Sequence, residues 1–184
     1  MERRSTIEFA TGELRLNDHE GSVDVNNYKT KITVNQLKGP LKLSNFDGTV
    51  SLQNIEGGLQ LSSHKGQMSV SRSKGRLQFE SGDNNTVIED FDGSIKGKSG
   101  QGAIVVRSEG KINVNLRSNQ GRIDIQAKGS GATVNVGSKD GPLYLPNYFK
   151  LTRYANMKVM SGRLRGGSGG QIYVRTESGS VKLR

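Results

Sequence analysis

The sequence predicts an all-β fold: a single-stranded parallel β-helix (β-solenoid) with about 18 residues and two strands per rung. Three observations lead to it. A nine-residue phrase runs without a slip from Gly12 to Gly102, with glycine at Gly12, Gly21, Gly39, Gly48, Gly57, Gly66, Gly75, Gly93 and Gly102, and Thr30 and Asn84 in the two slots that lack it. The second and fourth residues after the glycine are usually apolar, as in Val50/Leu52, Leu59/Leu61, Met68/Val70 and Leu77/Phe79. A period-2 pair flanked by polar residues reads as a short strand with one buried face. The third observation is the sign of the charges, which sets how many phrases close one rung.

In a stack of parallel rungs, equivalent residues are neighbours, so opposite charges attract and like charges repel. Between Gly12 and Gly110, charged residues nine apart are opposite in six pairs and alike in six, and at 27 they split four and four. At 18 all twelve pairs are opposite: Glu13/Lys31, Glu20/Lys38, Asp24/Lys42, Lys29/Asp47, Lys38/Glu56, Asp47/Lys65, Glu56/Lys74, Lys65/Asp83, Arg72/Asp90, Lys74/Asp92, Glu80/Lys98 and Glu89/Arg107. Random signs would give this on the order of 1 time in 4,000, so neighbour pairing is the better account. Two phrases therefore make a rung, with two strands facing each other across a thin core. A triangular 27-residue coil is disfavoured.

The chain, 1–184, reads as one solenoid domain. Residues 1–11 alternate tightly at Ile7 and Phe9, out of step with the later register, and are expected to form a starting strand that partly caps the first rung. Residues 12–102 carry the regular repeats, about five rungs stacked roughly 4.8 Å apart. Each phrase ends in a polar corner closed by a charged residue and glycine, as in QNIEG and RSKG. Glycine there suits a positive φ, and Asn can stand in for it. The seventh position after the glycine holds Tyr28, Leu37, Phe46, Ile55 and Phe91, but also His19, His64 and Ser73, and is expected to close the core at the corner. The two histidines are read as corner residues rather than as metal ligands or catalysts.

After Gly102 the glycine spacing loosens to eight, eleven, ten and ten residues, so 103–144 are expected to be irregular rungs built on INVNL, RIDIQ, TVNV and PLYL. Residues 145–161 break the pattern with an aromatic and basic insert that includes Tyr148, Phe149 and Tyr154. Residues 162–184 return to the repeat as terminal rungs, with Gly170 and Gly179 again nine apart.

Hydrophobic content is 32%, with 25 glycines and neither Trp nor Cys. That is meagre for a compact globule but enough for a solenoid, where each rung buries its core against the next. No apolar run approaches the roughly 20 residues of a membrane helix. The opening MERRSTIEF has no signal-peptide core, so the chain is expected to be either cytoplasmic as it stands or a mature region taken from a longer protein. The net charge of +10 is uneven: residues 1–100 hold 13 Lys/Arg against 13 Asp/Glu, and residues 101–184 hold 14 against 4.

Leu145-Pro146 after a strand, the SGRL step, the glycine cluster Gly166, Gly167, Gly169 and Gly170, and then IYVRTESGSVKL together resemble the C-terminal signature of a bacterial adhesin-type β-strand-repeat family, whose domain is of unknown function. The resemblance covers essentially the whole chain. It implies a parallel β-helix of right-handed sense, association with the cell envelope, and no catalytic residues to carry over. Members typically have an export or membrane segment, which this stretch does not show.

The residues offer little for catalysis. Calcium β-rolls need several glycines and an Asp per turn, whereas a typical unit here has one glycine and Asn, Ser or Gln at the corner. Folding is therefore not expected to depend on calcium. Lyases and hydrolases built on β-helices gather carboxylates on one face, but the 18-residue ladders put every acid beside a base. The string Gly97-Lys98-Ser99-Gly100-Gln101-Gly102 is a by-product of glycine corners with no βαβ context. No enzyme, cofactor, metal or small-molecule substrate is expected.

Two non-enzymatic functions fit. In the first, the basic half docks a polyanion through Lys150, Arg153, Lys158, Arg163 and Arg165 beside Tyr148, Phe149 and Tyr154, the partner being an anionic glycopolymer, a membrane surface or nucleic acid. In the second, the chain ends inside the strand SVKLR, whose open edge would let copies assemble end to end into filaments, although Lys182 and Arg184 discourage edge pairing.

Overall fold

The computed structural model describes residues 4–129, 131–165 and 169–184. Residues 1–3 of the expected starting strand, and Gly166 and Gly167 of the glycine cluster, lie outside the described residues. The elements are β1 (Arg4–Glu20), β2 (Ser22–Lys38), β3 (Leu41–Asp47), β4 (Thr49–Ser63), β5 (Gln67–Ser81), β6 (Asn85–Ser99), β7 (Ile104–Ser108), β8 (Ile112–Ser118), β9 (Ile123–Ala127), β10 (Ala132–Ser138), β11 (Leu143–Tyr144), β12 (Lys150–Tyr154), β13 (Met157–Leu164), β14 (Gly170–Thr176) and β15 (Val181–Leu183). They form a β-solenoid of stacked parallel coils with about 18 residues per turn, and no helix occurs among the described residues.

Two sheets face each other across the core. On one, Val50 lies opposite Met68, and Leu52 opposite Val70, which lies opposite Ile88. All are buried. On the other, Leu41, Leu59, Leu77 and Ile95 form one inward column, and Leu43, Leu61 and Phe79 another. The second column continues to Gly97, and the Phe79 ring occupies the space a side chain there would need. Each fully buried aliphatic contributes about 1.5–3 kcal/mol, which is how a chain poor in apolar residues holds a rod together.

The two corners of a rung differ, and this corrects the expectation for the seventh position. At one corner the sixth residue after the glycine slot is left-handed: Asp18, Gln36, Asn54, Arg72 and Asp90 have φ between 48° and 59°. That extra turn swings the seventh residue inward, so Leu37, Ile55, Ser73 and Phe91 are buried. At the other corner the strand alternation simply continues. The sixth residue points in as a buried Asn or Ser (Asn27, Asn45, Ser63, Ser81, Ser99), and the seventh points out. Tyr28 and Phe46 are thus 59% and 42% exposed, and they stack with His64 as an external ladder, with ring centroids 5.1 Å and 5.0 Å apart. The inward polar column binds the corner backbone: Asn45 donates to the carbonyls of Thr30 and Asp47, Ser99 to that of Gly102 and Ser118 to that of Gly121. Thr30 and Asn84 fill glycine slots without adopting a positive φ.

Residues 4–9 pair with 22–27 at the same 18-residue offset, so the starting strand is in step with the ladder rather than out of it. Ile7 falls in the inward column with Val25, and Phe9 takes the slot that Asn27 holds one rung on.

The charge ladder is present in the register. All of the twelve pairs except Asp47/Lys65, Lys65/Asp83 and Arg72/Asp90 are direct strand-to-strand partners. Ion contacts form at Glu13–Lys31 (3.2 Å), Glu20–Lys38 (3.6 Å), Glu56–Lys74 (3.0 Å), Glu80–Lys98 (3.1 Å) and Glu89–Arg107. Arg15 first and Lys31 second hold the Glu13 carboxyl below the usual carboxylate range. Glu56 lies between Lys38 and Lys74 on adjacent rungs. Glu56→Lys should therefore line up three cations and destabilise the rod by about 1 kcal/mol at low ionic strength, less in high salt. Urea unfolding at two salt concentrations checks this; a stability equal to wild type at low salt would contradict the ladder.

The C-terminal third does not follow chain order. β8 pairs with β6 and β9 with β7, as the solenoid requires. The next segment in sequence, β10–β11, then leaves one slot empty, and β14–β15 returns to fill it. β14 lies between β8 and β10, at offsets of 58 and 38 residues, and β15 lies between β9 and β11. Between these two passes the insert forms a hairpin: β13 pairs antiparallel with β10, and β12 antiparallel with β13. The strand SVKLR is therefore not an open edge, which corrects the basis for assembly through it. Its backbone is bonded on both sides, with Val181 N donating to the Pro142 carbonyl and Arg184 N to that of Ile125. The sheet borders instead are β1 at one end and, at the other, β12 on one sheet and β11, which pairs with β15 alone, on the facing sheet.

Candidate polyanion-binding surface

The insert is a short antiparallel hairpin because its two strands meet across the two-residue turn Ala155-Asn156, with Ala155 left-handed at φ 51° and Tyr154 opposite Met157. Cross-strand partners share a face. Lys150, Thr152 and Tyr154 thus face the same way as Ser161, Val159 and Met157, while Leu151 and Arg153 face the same way as Met160 and Lys158. The second of these faces continues the inward side of the solenoid, since Met160 lies opposite Val136 and Lys158 opposite Ser138.

The candidate residues are consequently divided. Arg153 and Lys158 stand opposite each other, two cations side by side near the hairpin tip, where Tyr154 is 79% exposed. Lys150 and Arg163 point to the outer face, Arg163 opposite Thr133. Arg165 has left the strand, and its guanidinium donates to the Lys128 carbonyl. Tyr148 is exposed and stacks on Phe149 at 4.9 Å. Phe149 itself is only 5% exposed and packs on Gly162, where a Cβ would come within 2.8 Å of its ring. It closes the end of the core and leaves little of its ring at the surface.

The outer face of the same sheet carries a basic site that sequence reasoning missed. Lys98 lies opposite Arg117, and Arg117 opposite Arg175: three cations on three adjacent strands, where the rungs before them in the same column carry Ser44, Ser62 and a single acid, Glu80. Lys98 is bonded to Glu80 at 3.1 Å. Arg175 lies 4.1 Å from the Tyr173 ring centroid and donates to the Asn135 side chain at 2.6 Å. The neighbouring column runs Lys96, Asn115, Tyr173, Asn135, Ser161 and Lys150, cationic at both ends and amide or hydroxyl between. The signal in the sequence was the likeness of INVNLRSNQG to QIYVRTESG, with Gly121 and Gly179 58 residues apart. The 18-residue offset of the earlier rungs does not connect these two stretches.

The acids of the basic half do little to neutralise this face. Asp124 points outward from the opposite sheet, 3% exposed, and is 3.4 Å from both Arg122 and Arg184. Glu177 and Asp140 sit at an exposed corner, where Asp140 N bonds the Glu177 carbonyl.

Neither the curated proteins nor the solved structures contain a match to this chain. A family model described as Toastrack DUF4097 matches residues 5–184, which takes in the stacked rungs, the capping hairpin and the returning C-terminal strands. The chain belongs to the Toastrack DUF4097 family, a family of β-solenoid repeat domains.

Proposed function

We propose that this domain is a non-enzymatic scaffold of the cell-envelope adhesin type, a rod whose basic C-terminal half docks an anionic polymer. The observation that carries this reading is the change in charge pairing along the rod. In the N-terminal rungs bases stack on acids; beyond β6, apart from Lys182 opposite Asp124, they stack on one another, at Lys98–Arg117–Arg175 and again at Arg153–Lys158. Repulsion between fixed like charges opposes folding, and a partner of opposite sign removes it. The exposed side chains of Tyr148, Leu151 and Tyr154 beside these cations add apolar contact area of the kind a polymer with sugar rings or bases would use.

The test compares wild type with a variant in which Arg153, Lys158, Arg163 and Arg165 are all changed to Ser. Wild type should bind heparin, teichoic acid or DNA at low salt, with an affinity that falls steeply as salt rises, and the variant should bind more weakly with a shallower salt dependence. If neither protein binds any of the three at low salt, the basic half is only a solubilising end.

A further inference from the structure

We propose that the outer face formed by β6, β8, β14 and β10 is a binding strip for an acidic polysaccharide lying along the solenoid axis. The inference rests on the reading of the basic half as a polyanion-docking surface. The principal contact is then a sheet face rather than the hairpin.

The arrangement is two parallel columns with different chemistry. One is cationic: Lys98, Arg117 and Arg175 are direct partners on consecutive strands. The other, one alternation away on the same face, presents Asn115, Tyr173 and Asn135. Strands are about 4.8 Å apart, so the backbone positions that carry these cations form a row with that repeat. A chain of pyranose rings carrying a carboxylate or sulfate repeats on a similar scale. Its acidic groups would lie over the cationic column and its ring hydroxyls over the amides and the tyrosine. Arg117 is the centre of the row. Lys98 is already bonded to Glu80, and Arg175 is folded onto Tyr173 and Asn135, whereas Arg117 is exposed and flanked on both sides by cations.

Two features separate this ligand from other polyanions. Base stacking needs a free aromatic face, and the Tyr173 ring is covered by the Arg175 guanidinium at 4.1 Å. A lipid surface is best met by projecting apolar side chains among cations, and this face carries amides instead. The strip exists only because β14 returns to lie beside β8. Had the chain continued in order, Arg117 would have faced Gly137 of β10, the residue that now lies opposite Arg175.

The experiment uses the whole chain in three forms: wild type, Lys96→Ser/Arg117→Ser on the strip, and Arg153→Ser/Lys158→Ser on the hairpin. Probes are polygalacturonate, heparin, single-stranded DNA of matched charge, and phosphatidylglycerol vesicles. The substituted side chains are exposed or half-exposed, and thermal melts check that all three forms fold alike. The expected result is binding of wild type to the acidic polysaccharides in preference to DNA and vesicles. The strip variant should lose about tenfold in affinity at low salt and the hairpin variant less than about twofold. Binding lost in the hairpin variant but kept in the strip variant overturns this inference and leaves the broader reading standing. A preference for DNA or vesicles over both polysaccharides does the same. Failure of wild type to bind any of the four overturns both.

Discussion

Val70→Asp should unfold the middle of the rod. Val70 is 1% exposed, lies between Leu52 and Ile88 in its column, and belongs to the buried hydrophobic core. A carboxylate at that point has no base or backbone donor to pair with, because both strands spend their amides on neighbouring rungs. The cost is about 4 kcal/mol or more at neutral pH, against about 2–3 kcal/mol for Val70→Ala, which leaves only a cavity. Burial raises the folded-state pKa of such an Asp above its unfolded value of about 3.9, so the folded state holds the proton more tightly. The deficit of the variant should then be smallest below about pH 4 and grow as pH rises through the raised folded pKa. Because each rung contacts only its neighbours, the loss should appear as early melting of the central rungs rather than a uniform shift. Circular dichroism melts at pH 3.5 and pH 7 measure both effects. A Val70→Asp protein with a wild-type melt at pH 7 would mean that the inward columns are wrongly assigned.

What the sequence made legible follows from which neighbours are at a constant distance along the chain. From Arg4 to Ser99 every rung lies 18 residues from the next, so Glu56 meets Lys74 and Leu52 meets Val70 by the same offset, and charge signs alone expose it. The seventh position was only half legible, because the phrase is nine residues long while the two corners of a rung are built differently. Leu37 and Phe46 occupy the same place in the phrase, yet one is buried behind the left-handed Gln36 and the other projects beside the inward-facing Asn45. The C-terminal order was not legible. Hydrophobic pairs such as Ile172/Val174 announce a strand but not its neighbour, and a strand that skips a slot and is later filled in leaves no periodic trace. The cationic strip went unseen for this reason, since Arg117 and Arg175 meet across 58 residues. The hairpin residues were found by composition, and composition cannot tell Phe149, which closes the core, from Tyr148, which does not.

Gly75→Ala should be far more harmful than its size implies, and Gly58→Ala gives the internal control. Gly75 has φ 126°, a region that residues with a Cβ avoid, and a Cβ built there meets the carbonyl oxygen of Gly57 on the rung below, well inside van der Waals contact. Gly57 in turn stands over Gly39, and Gly93 over Gly75, in the same way. The glycine column is thus a backbone-on-backbone stack whose spacing is set by hydrogen bonds between rungs. A methyl group in the middle cannot be relieved by rotating a side chain; it must push two rungs apart or break their bonds. Backbone strain and overpacking together should cost about 3 kcal/mol or more. Gly58 lies one rung below Arg76, beside the same corner, and a Cβ there meets nothing within 4 Å. Gly58→Ala should be neutral or stabilising by roughly 0.4–1 kcal/mol, through the smaller entropy of the unfolded chain. Urea unfolding of the two variants side by side measures the difference. Equal stabilities would show that the glycine recurring every nine residues serves chain flexibility alone, and that the close approach of successive corners does not hold the rungs in register.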